Sequence, residues 1–146
     1  MNKIIVLLAI IWFSGCATTT VMTGPEKQFQ DASISVKEKR FKEAAVACHK
    51  IMVDSPESPL AADALFEIAL INSHPDNPQR DYMQAIRSFA EFLKRFPDNR
   101  RADEARTWIA VLKNIQELKK QNEYLNESIK ELKKLDIRHE ERRKRK

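Results

Sequence analysis

Glycine is nearly absent from this chain of 146 residues. The two glycines are Gly15 and Gly24, and none follows them. Tight turns, β-barrels and phosphate-binding loops rely on glycine for backbone conformations with positive φ. A long stretch without glycine therefore argues against those structures and favours helices.

Proline is sparse as well, and its positions are informative. Each proline falls where an apolar pattern of helical spacing stops or starts, as expected of a residue that cannot continue a helix. The sequence therefore predicts an all-α protein. The six prolines are Pro25, Pro56, Pro59, Pro75, Pro78 and Pro97.

Most of the chain carries almost no net charge. The formal net charge is +5, and the five residues 142–146 are all cationic. The basic character therefore belongs to the carboxyl-terminal tail rather than to a domain face. This location argues against a nucleic-acid-binding surface.

Catalytic and metal-binding motifs are missing too. The three histidines, His49, His74 and His139, are far apart and do not have the spacing of metal ligands. His49 follows Cys48, but adjacent helix residues point in different directions and do not form a nucleophile–base pair. There is no glycine-rich phosphate loop and no serine elbow. We expect a non-enzymatic protein without a metal, in which Cys48 is a small core residue.

The amino-terminal segment has the features of a signal peptide. Lys3 supplies one positive charge, and Ile4–Phe13 follows as ten uncharged residues. Ten residues cover roughly 15 Å as a helix, about half the thickness of a bilayer core. A basic start, a short apolar run and small residues after it are typical of a signal peptide. We predict that residues 1–15 are one.

Ser14-Gly15-Cys16 resembles the lipobox of bacterial lipoproteins, with Phe13 where leucine is more usual. The resemblance implies removal of residues 1–15 and a covalent diacylglycerol and fatty acid (palmitate) on Cys16. Because Ala17 and not aspartate follows, it also implies the outer membrane, with the chain facing the periplasm. Residues 16–24 would then be a lipidated tether, in which eight residues reach at most ~28 Å. The alternative is ordinary secretion with cleavage near Ala17.

An internal repeat appears when the sequence is offset by 41 residues, which aligns 41–69 with 82–110. Small and apolar residues recur at helical spacing, as in a repeated helix–turn–helix. The pattern predicts helices at 25–38, 41–53, 59–72 and 80–95, with a loop at 72–80. The residues expected to pack the repeats are Phe41, Ala44, Pro56, Ala64, Ile68, Ala69, Tyr82, Ala85, Phe89, Pro97, Ala105, Ile109 and Ala110.

The repeat resembles the tetratricopeptide family. Phe41-Lys-Glu-Ala44 and Tyr82-Met-Gln-Ala85 each precede a proline by twelve residues, counted from the alanine. Residues 92–105 are similar to the tetratricopeptide lipoproteins of the outer-membrane β-barrel assembly machinery. The resemblance implies a short α-solenoid over residues 25–112, with two repeats and a capping helix. Its concave side would bind a helix or extended segment of a partner protein.

A long helix is predicted from Ala102 to about residue 138, since no proline or glycine occurs there. Apolar residues repeat every three and four positions from Trp108, which is typical of a coiled coil. The isoleucine and leucine positions favour two strands, and one asparagine fixes the register. The alternative is an amphipathic helix folded back on the repeats. The predicted seam is Ile115, Leu118, Asn122, Leu125, Ile129 and Leu132.

Residues 139–146 form a predicted basic tail with two interpretations. It could bind anionic lipid, lipopolysaccharide phosphates or an acidic partner at ~1 kcal/mol per charge. Alternatively, it is a solvated, disordered end. Leu135-Asp136-Ile137 and the charged end are also similar to a small lipoprotein that accompanies certain enterobacterial sensor kinases.

These patterns together predict a membrane-anchored protein-interaction scaffold whose long helix dimerises or pairs with another envelope protein. The first alternative is an accessory regulator of an envelope sensor kinase. The second is a binder of lipid or peptidoglycan through the basic tail.

Overall fold

The computed structural model of the protein describes residues 24–145. This part of the chain consists of helices, turns and short connections, without a β-strand, which confirms the all-α prediction. The predicted signal peptide, Cys16 and the tether up to residue 23 lie outside the described residues. The helices are α1 (Gly24–Lys37), α2 (Phe41–Asp54), α3 (Pro59–Ser73), α4 (Tyr82–Arg95) and α5 (Ala102–Lys144).

Each helix packs against the next one along the chain, and α1 also contacts α3. Successive packing of this kind forms a short helical array. The repeat is visible in the burial of equivalent positions, because two residues that lie 41 positions apart in the sequence are both buried. Four such pairs are Ala44 with Ala85, Cys48 with Phe89, Ile51 with Phe92, and Ala64 with Ala105.

Local side-chain chemistry sets where two of the helices begin. The Ser58 hydroxyl accepts a hydrogen bond from the backbone N–H of Leu60, and Pro59 occupies the first turn of α3, where a missing N–H costs little. The Asp81 carboxylate accepts from the backbone N–H of Gln84 at 2.9 Å. This cap explains why α4 begins at Tyr82, two residues later than predicted.

Helix α3 is the centre of the array and is enclosed by its neighbours. Its alanines let adjacent helices approach closely, and Phe66 fills the space beside them. The Phe66 ring meets Phe89 and Phe92 edge-on, with centroids 5.0 and 5.2 Å away. The buried residues of α3 are Ala61, Ala62, Ala64, Leu65, Phe66, Ile68, Ala69 and Ile71.

Most of the predicted repeat-packing residues are buried or half-buried, but three are not. Pro56 and Pro97 are exposed and lie in the turns just beyond α2 and α4. Ala110 is also exposed, although its repeat equivalent Ala69 is fully buried. The prediction for Ala110 was wrong: within the described residues α3 packs against helices on both sides, whereas α5 packs chiefly against α4 and leaves Ala110 exposed.

The connection between α3 and α4 is held in place by its own hydrogen bonds. The buried side chain of Asn77 donates to the carbonyl of Ile71 at 2.8 Å and accepts from the N–H of Gln79 at 2.9 Å. Lys39, in the turn between α1 and α2, forms a 2.8 Å salt bridge with Asp76. These contacts hold the loop, whose first residue is His74, against α3 and the α1–α2 turn.

Helix α5 extends well past the array. It is continuous to Lys144, six residues beyond the predicted end, so most of the predicted basic tail is helical. Arg142, Arg143 and Lys144 lie in its last turn, where cations interact favourably with the helix dipole. The large apolar side chains beyond Ile115 are exposed, so the outer part of α5 does not fold back on the repeats as the alternative required.

Candidate partner-binding surfaces

The described part of the chain has an open groove across the array, with a volume of about 450 Å³. Helices α1, α3, α4 and α5 contribute its walls, and the start of the α3–α4 loop contributes one end. The surface is mostly apolar and aromatic, with few polar groups. The groove is lined by Val36, Glu67, Leu70, Ser73, His74, Pro75, Tyr82, Trp108, Leu112 and Ile115.

Trp108 forms a rigid part of the groove wall. Its ring is stacked on Phe89 with centroids 6.3 Å apart, and its indole N–H donates to the Glu104 carboxylate at 3.4 Å. Leu112, one turn further on, is buried. The tryptophan is therefore held by the array itself, so the coiled-coil seam cannot begin there as the sequence suggested. The first exposed seam position is Val111.

Glu67 is the acidic group in the groove. Among the described residues, no cationic group lies within salt-bridge distance of its carboxylate. Burial raises its pKa above the ordinary range, and the nearby charge of Asp63 raises it further, while Arg101 and His74 act in the opposite direction. A half-buried carboxylate in an apolar groove favours a cation or a hydrogen-bond donor as its neighbour.

Arg101 is the nearest candidate partner for Glu67, but its side chain is committed elsewhere. Its guanidinium lies 3.4 Å from the centroid of the Phe66 ring, a cation–π contact. Its Nε donates to the Glu104 carboxylate at 3.0 Å. Glu67 therefore receives only a longer-range attraction from this residue.

His74 closes one end of the groove. Its ring lies against Phe41, with centroids 4.8 Å apart, and its Nδ1 accepts from the backbone N–H of Asp76 at 3.1 Å. These contacts hold His74 in a wall position. No motif in the sequence distinguishes His74 from the other two histidines.

The predicted seam on α5 forms a second candidate surface. Leu118, Leu125 and Leu132 are 64%, 57% and 65% exposed, and Ile115 and Ile129 are partly exposed as well. The side chains of the seam therefore remain available along the helix. The Asn122 side chain accepts a hydrogen bond from the Asn126 amide at 2.9 Å.

Cys48 does not contribute to either surface. It is buried, and burial raises its pKa to about 12, with the charge of Glu67 adding to the effect. A thiol with this pKa is inert at neutral pH. Its place in the core is as predicted.

Two features are absent from residues 24–145, a metal-binding cluster and a membrane-spanning helix. This part has no group of histidine, cysteine and carboxylate side chains that could hold a metal ion. None of its helices is both long enough and apolar enough to cross a membrane.

No protein-family model matches the chain, and no curated protein is detectably similar to it. The resemblance to tetratricopeptide lipoproteins therefore stays a prediction, and the candidate surfaces are argued from their own geometry.

Proposed function

We propose that this protein is a lipid-anchored scaffold of the cell envelope that binds a partner protein in the groove of its helical array. The observation that carries the proposal is the groove itself, an open apolar surface containing one half-buried, unpaired carboxylate. Its chemistry is that of recognition rather than catalysis.

The shape of the groove favours a polypeptide as its occupant. The groove is half-enclosed, and aromatic and aliphatic side chains such as Trp108, Tyr82 and Leu70 provide most of its wall. Such a surface suits the apolar face of a helix or an extended segment.

Glu67 gives the groove a charge preference. A partner segment that places lysine or arginine next to this carboxylate would pair a group that has no close cation among residues 24–145. A segment with aspartate or glutamate at that position would be repelled, which contributes to specificity. We therefore expect the partner segment to be apolar with at least one basic side chain.

Anchoring would supply the second half of the function. Lipidation at Cys16 would hold the array within the ~28 Å reach of the short tether. Three acyl chains anchor a protein stably, whereas a single chain binds only marginally. The array would thus be presented close to the membrane surface, facing the periplasm in an outer-membrane lipoprotein.

Site-specific photo-crosslinking in cells tests the groove. A photoreactive amino acid at Ser73, in the groove, should crosslink to a distinct protein, whereas the same group at Val53, 76% exposed on α2, should not. Glu67→Lys should reduce the Ser73 crosslink strongly, because it places a cation against the basic partner. The matched control, Glu43→Lys on the exposed surface of α2, should leave it unchanged. Identical crosslinks from Ser73 and Val53 would contradict the proposed groove function.

Lipidation has its own test. Cys16→Ser should abolish membrane anchoring, because the preceding apolar run of ten residues is too short to span a bilayer. Cells would be labelled with an alkyne analogue of palmitate and then fractionated. Incorporation of the label into the serine variant would refute the lipoprotein hypothesis.

A further inference from the structure

The apolar stripe on the outer part of α5 has no covering within the described chain. From Val111 onward, its side chains at coiled-coil spacing are exposed by more than a third. The helix continues to Lys144, so roughly 45 Å of it projects beyond Ile115 at 1.5 Å per residue. An exposed stripe of this length on a single helix indicates an interaction surface. Its members are Val111, Ile115, Leu118, Leu125, Ile129 and Leu132.

Ile115, at the inner end of the stripe, also lines the groove, whereas the stripe beyond it lies on a different face from the one that packs on the array. Ala105 and Leu112 are buried in the core cluster shared with α3 and α4. Because successive helix residues are rotated by about 100°, Leu118 and Leu125 point roughly 140° away from those two residues. The stripe is therefore not the frayed end of the internal packing face. It needs a partner of its own.

Asn122 indicates what kind of partner that is. It is the one polar residue between Ile115 and Leu132 in the seam, at the position where isoleucine would otherwise repeat. In a parallel, in-register pair, the two copies of Asn122 lie opposite each other and their amides bond across the seam. In an antiparallel or slipped pair, the amide would face leucine and lose its hydrogen bond on burial.

The flanking charges are compatible with self-pairing. In a parallel pair, Lys119 would face Asn114 of the second copy, and Lys133 would face Ser128 of the second copy, so no like charges meet beside the seam. Most other charged side chains of this region occupy positions that point away from a two-stranded seam. The stripe also ends where Asp136 takes the next seam position.

We propose that two copies of this chain pair through Val111–Leu132 as a parallel, in-register, two-stranded coiled coil, with Asn122 opposite Asn122. The pairing goes beyond the groove function and does not rest on it, because the seam variants leave Glu67 and the groove walls unchanged. The scaffold would then present two grooves on one membrane.

Disulfide trapping in the full-length chain, in its own membrane, tests the arrangement. Leu118→Cys, Leu125→Cys and Leu132→Cys would each be treated with a mild oxidant, and dimer would be read on a non-reducing gel. The matched control is Lys120→Cys, an exposed position on the far side of the helix. Buried Cys48 adds no background because its thiol is inert, and the wild-type chain measures any contribution from Cys16.

We expect all three seam variants to form at least ~10-fold more dimer than Lys120→Cys, since only seam positions bring two Cβ atoms within disulfide distance. The three leucines are exposed in the single chain, so their replacement does not disturb the core. Dimer from only one of the three would indicate antiparallel pairing and overturn the proposal. Equal dimer from all four variants, crosslinks to a different protein, or no dimer at all would overturn it as well. The Ser73 photo-crosslink, measured in the same variants, reports separately on the groove.

Discussion

Helix α3 and the outer part of α5 both carry apolar side chains, but they differ in what covers those side chains. In α3, residues on every side of the helix are buried, because its neighbours in the array surround it. In α5, only Ala102, Ala105 and Leu112 are buried, and the later leucines and isoleucines are exposed. An apolar helix face is therefore covered only where neighbouring helices of the array lie against it. The outer part of α5 has no such neighbour among the described residues.

The repeat makes this difference clear at a single pair of positions. Ala69 and Ala110 are equivalent by the 41-residue offset, yet the first is fully buried and the second exposed. The helices that follow α3 cover Ala69, whereas among the described residues no helix packs against α5 on the side of Ala110. An end of a repeat array is thus a natural place for a partner to bind.

The largest effect is expected from placing a charge within the array. Ala85 is fully buried in the core cluster with Phe66 and Phe89. Ala85→Arg should lower the free energy of unfolding by at least ~3 kcal/mol, through overpacking and an unpaired buried charge. Arg87→Ala, two residues away on the exposed surface of α4, should be nearly silent. Equal melting temperatures for the two variants would mean that this face of α4 is not the packing face.

A milder pair of substitutions compares the two faces of α5 directly. Leu112→Ala removes a buried side chain and should cost about 2–5 kcal/mol of stability. Leu125→Ala, 57% exposed in the single chain, should change the stability of the array by less than ~0.5 kcal/mol at low protein concentration. Thermal melts at low concentration measure both. A larger loss for Leu125→Ala than for Leu112→Ala would contradict the distinction between the faces.

Asn122 offers a change that should act on association alone. Asn122→Ile replaces the single polar seam residue by an apolar one and should tighten self-association, by about tenfold in Kd, while admitting trimers. Sedimentation equilibrium in density-matched detergent gives both the affinity and the stoichiometry. A strictly monomeric wild-type chain at high micromolar concentration would rule out the homodimer.

The smallest effect concerns Glu67 and pH. Because burial raises its pKa, the folded protein holds this proton more tightly than the unfolded chain does. The contribution of protonated Glu67 to the free energy of unfolding is therefore lost as the pH rises through the pKa of Glu67 in the folded protein. Glu67→Gln should raise the melting temperature slightly at neutral pH, and the gain should disappear below the ordinary glutamate pKa of 4.5. Glu43→Gln on the exposed surface serves as control and should give no gain at either pH.

The helices could be predicted from sequence because their ends depend on local chemistry. Proline, serine and aspartate mark the starts of α3 and α4, and the apolar period assigns the packing face of α4. Phe66 was missed because α3 is apolar on all sides, so no single stripe identified its largest core residue. The end of α5 was placed too early since its charged last turns contain no stop signal.

The groove could not be predicted, because it depends on the relative placement of four helices. Val36, Glu67 and Trp108 come from different helices and share no local motif. Glu67 belongs to no motif in the sequence, and only its neighbours in space show it to be half-buried. The exposed seam on α5 was predictable, because a heptad pattern is local. The position of the last buried residue of α5, Leu112, was not predictable.

The central claim is that the chain covers α3 by itself but leaves the seam of α5 for a second molecule. Hydrogen–deuterium exchange of the full-length chain in detergent, measured across a range of protein concentrations, tests it directly. The account predicts that the backbone amides of residues 59–73 are protected at every concentration. Protection of residues 115–135 should rise as the concentration increases. Protection of both segments that is equal and independent of concentration would contradict the account.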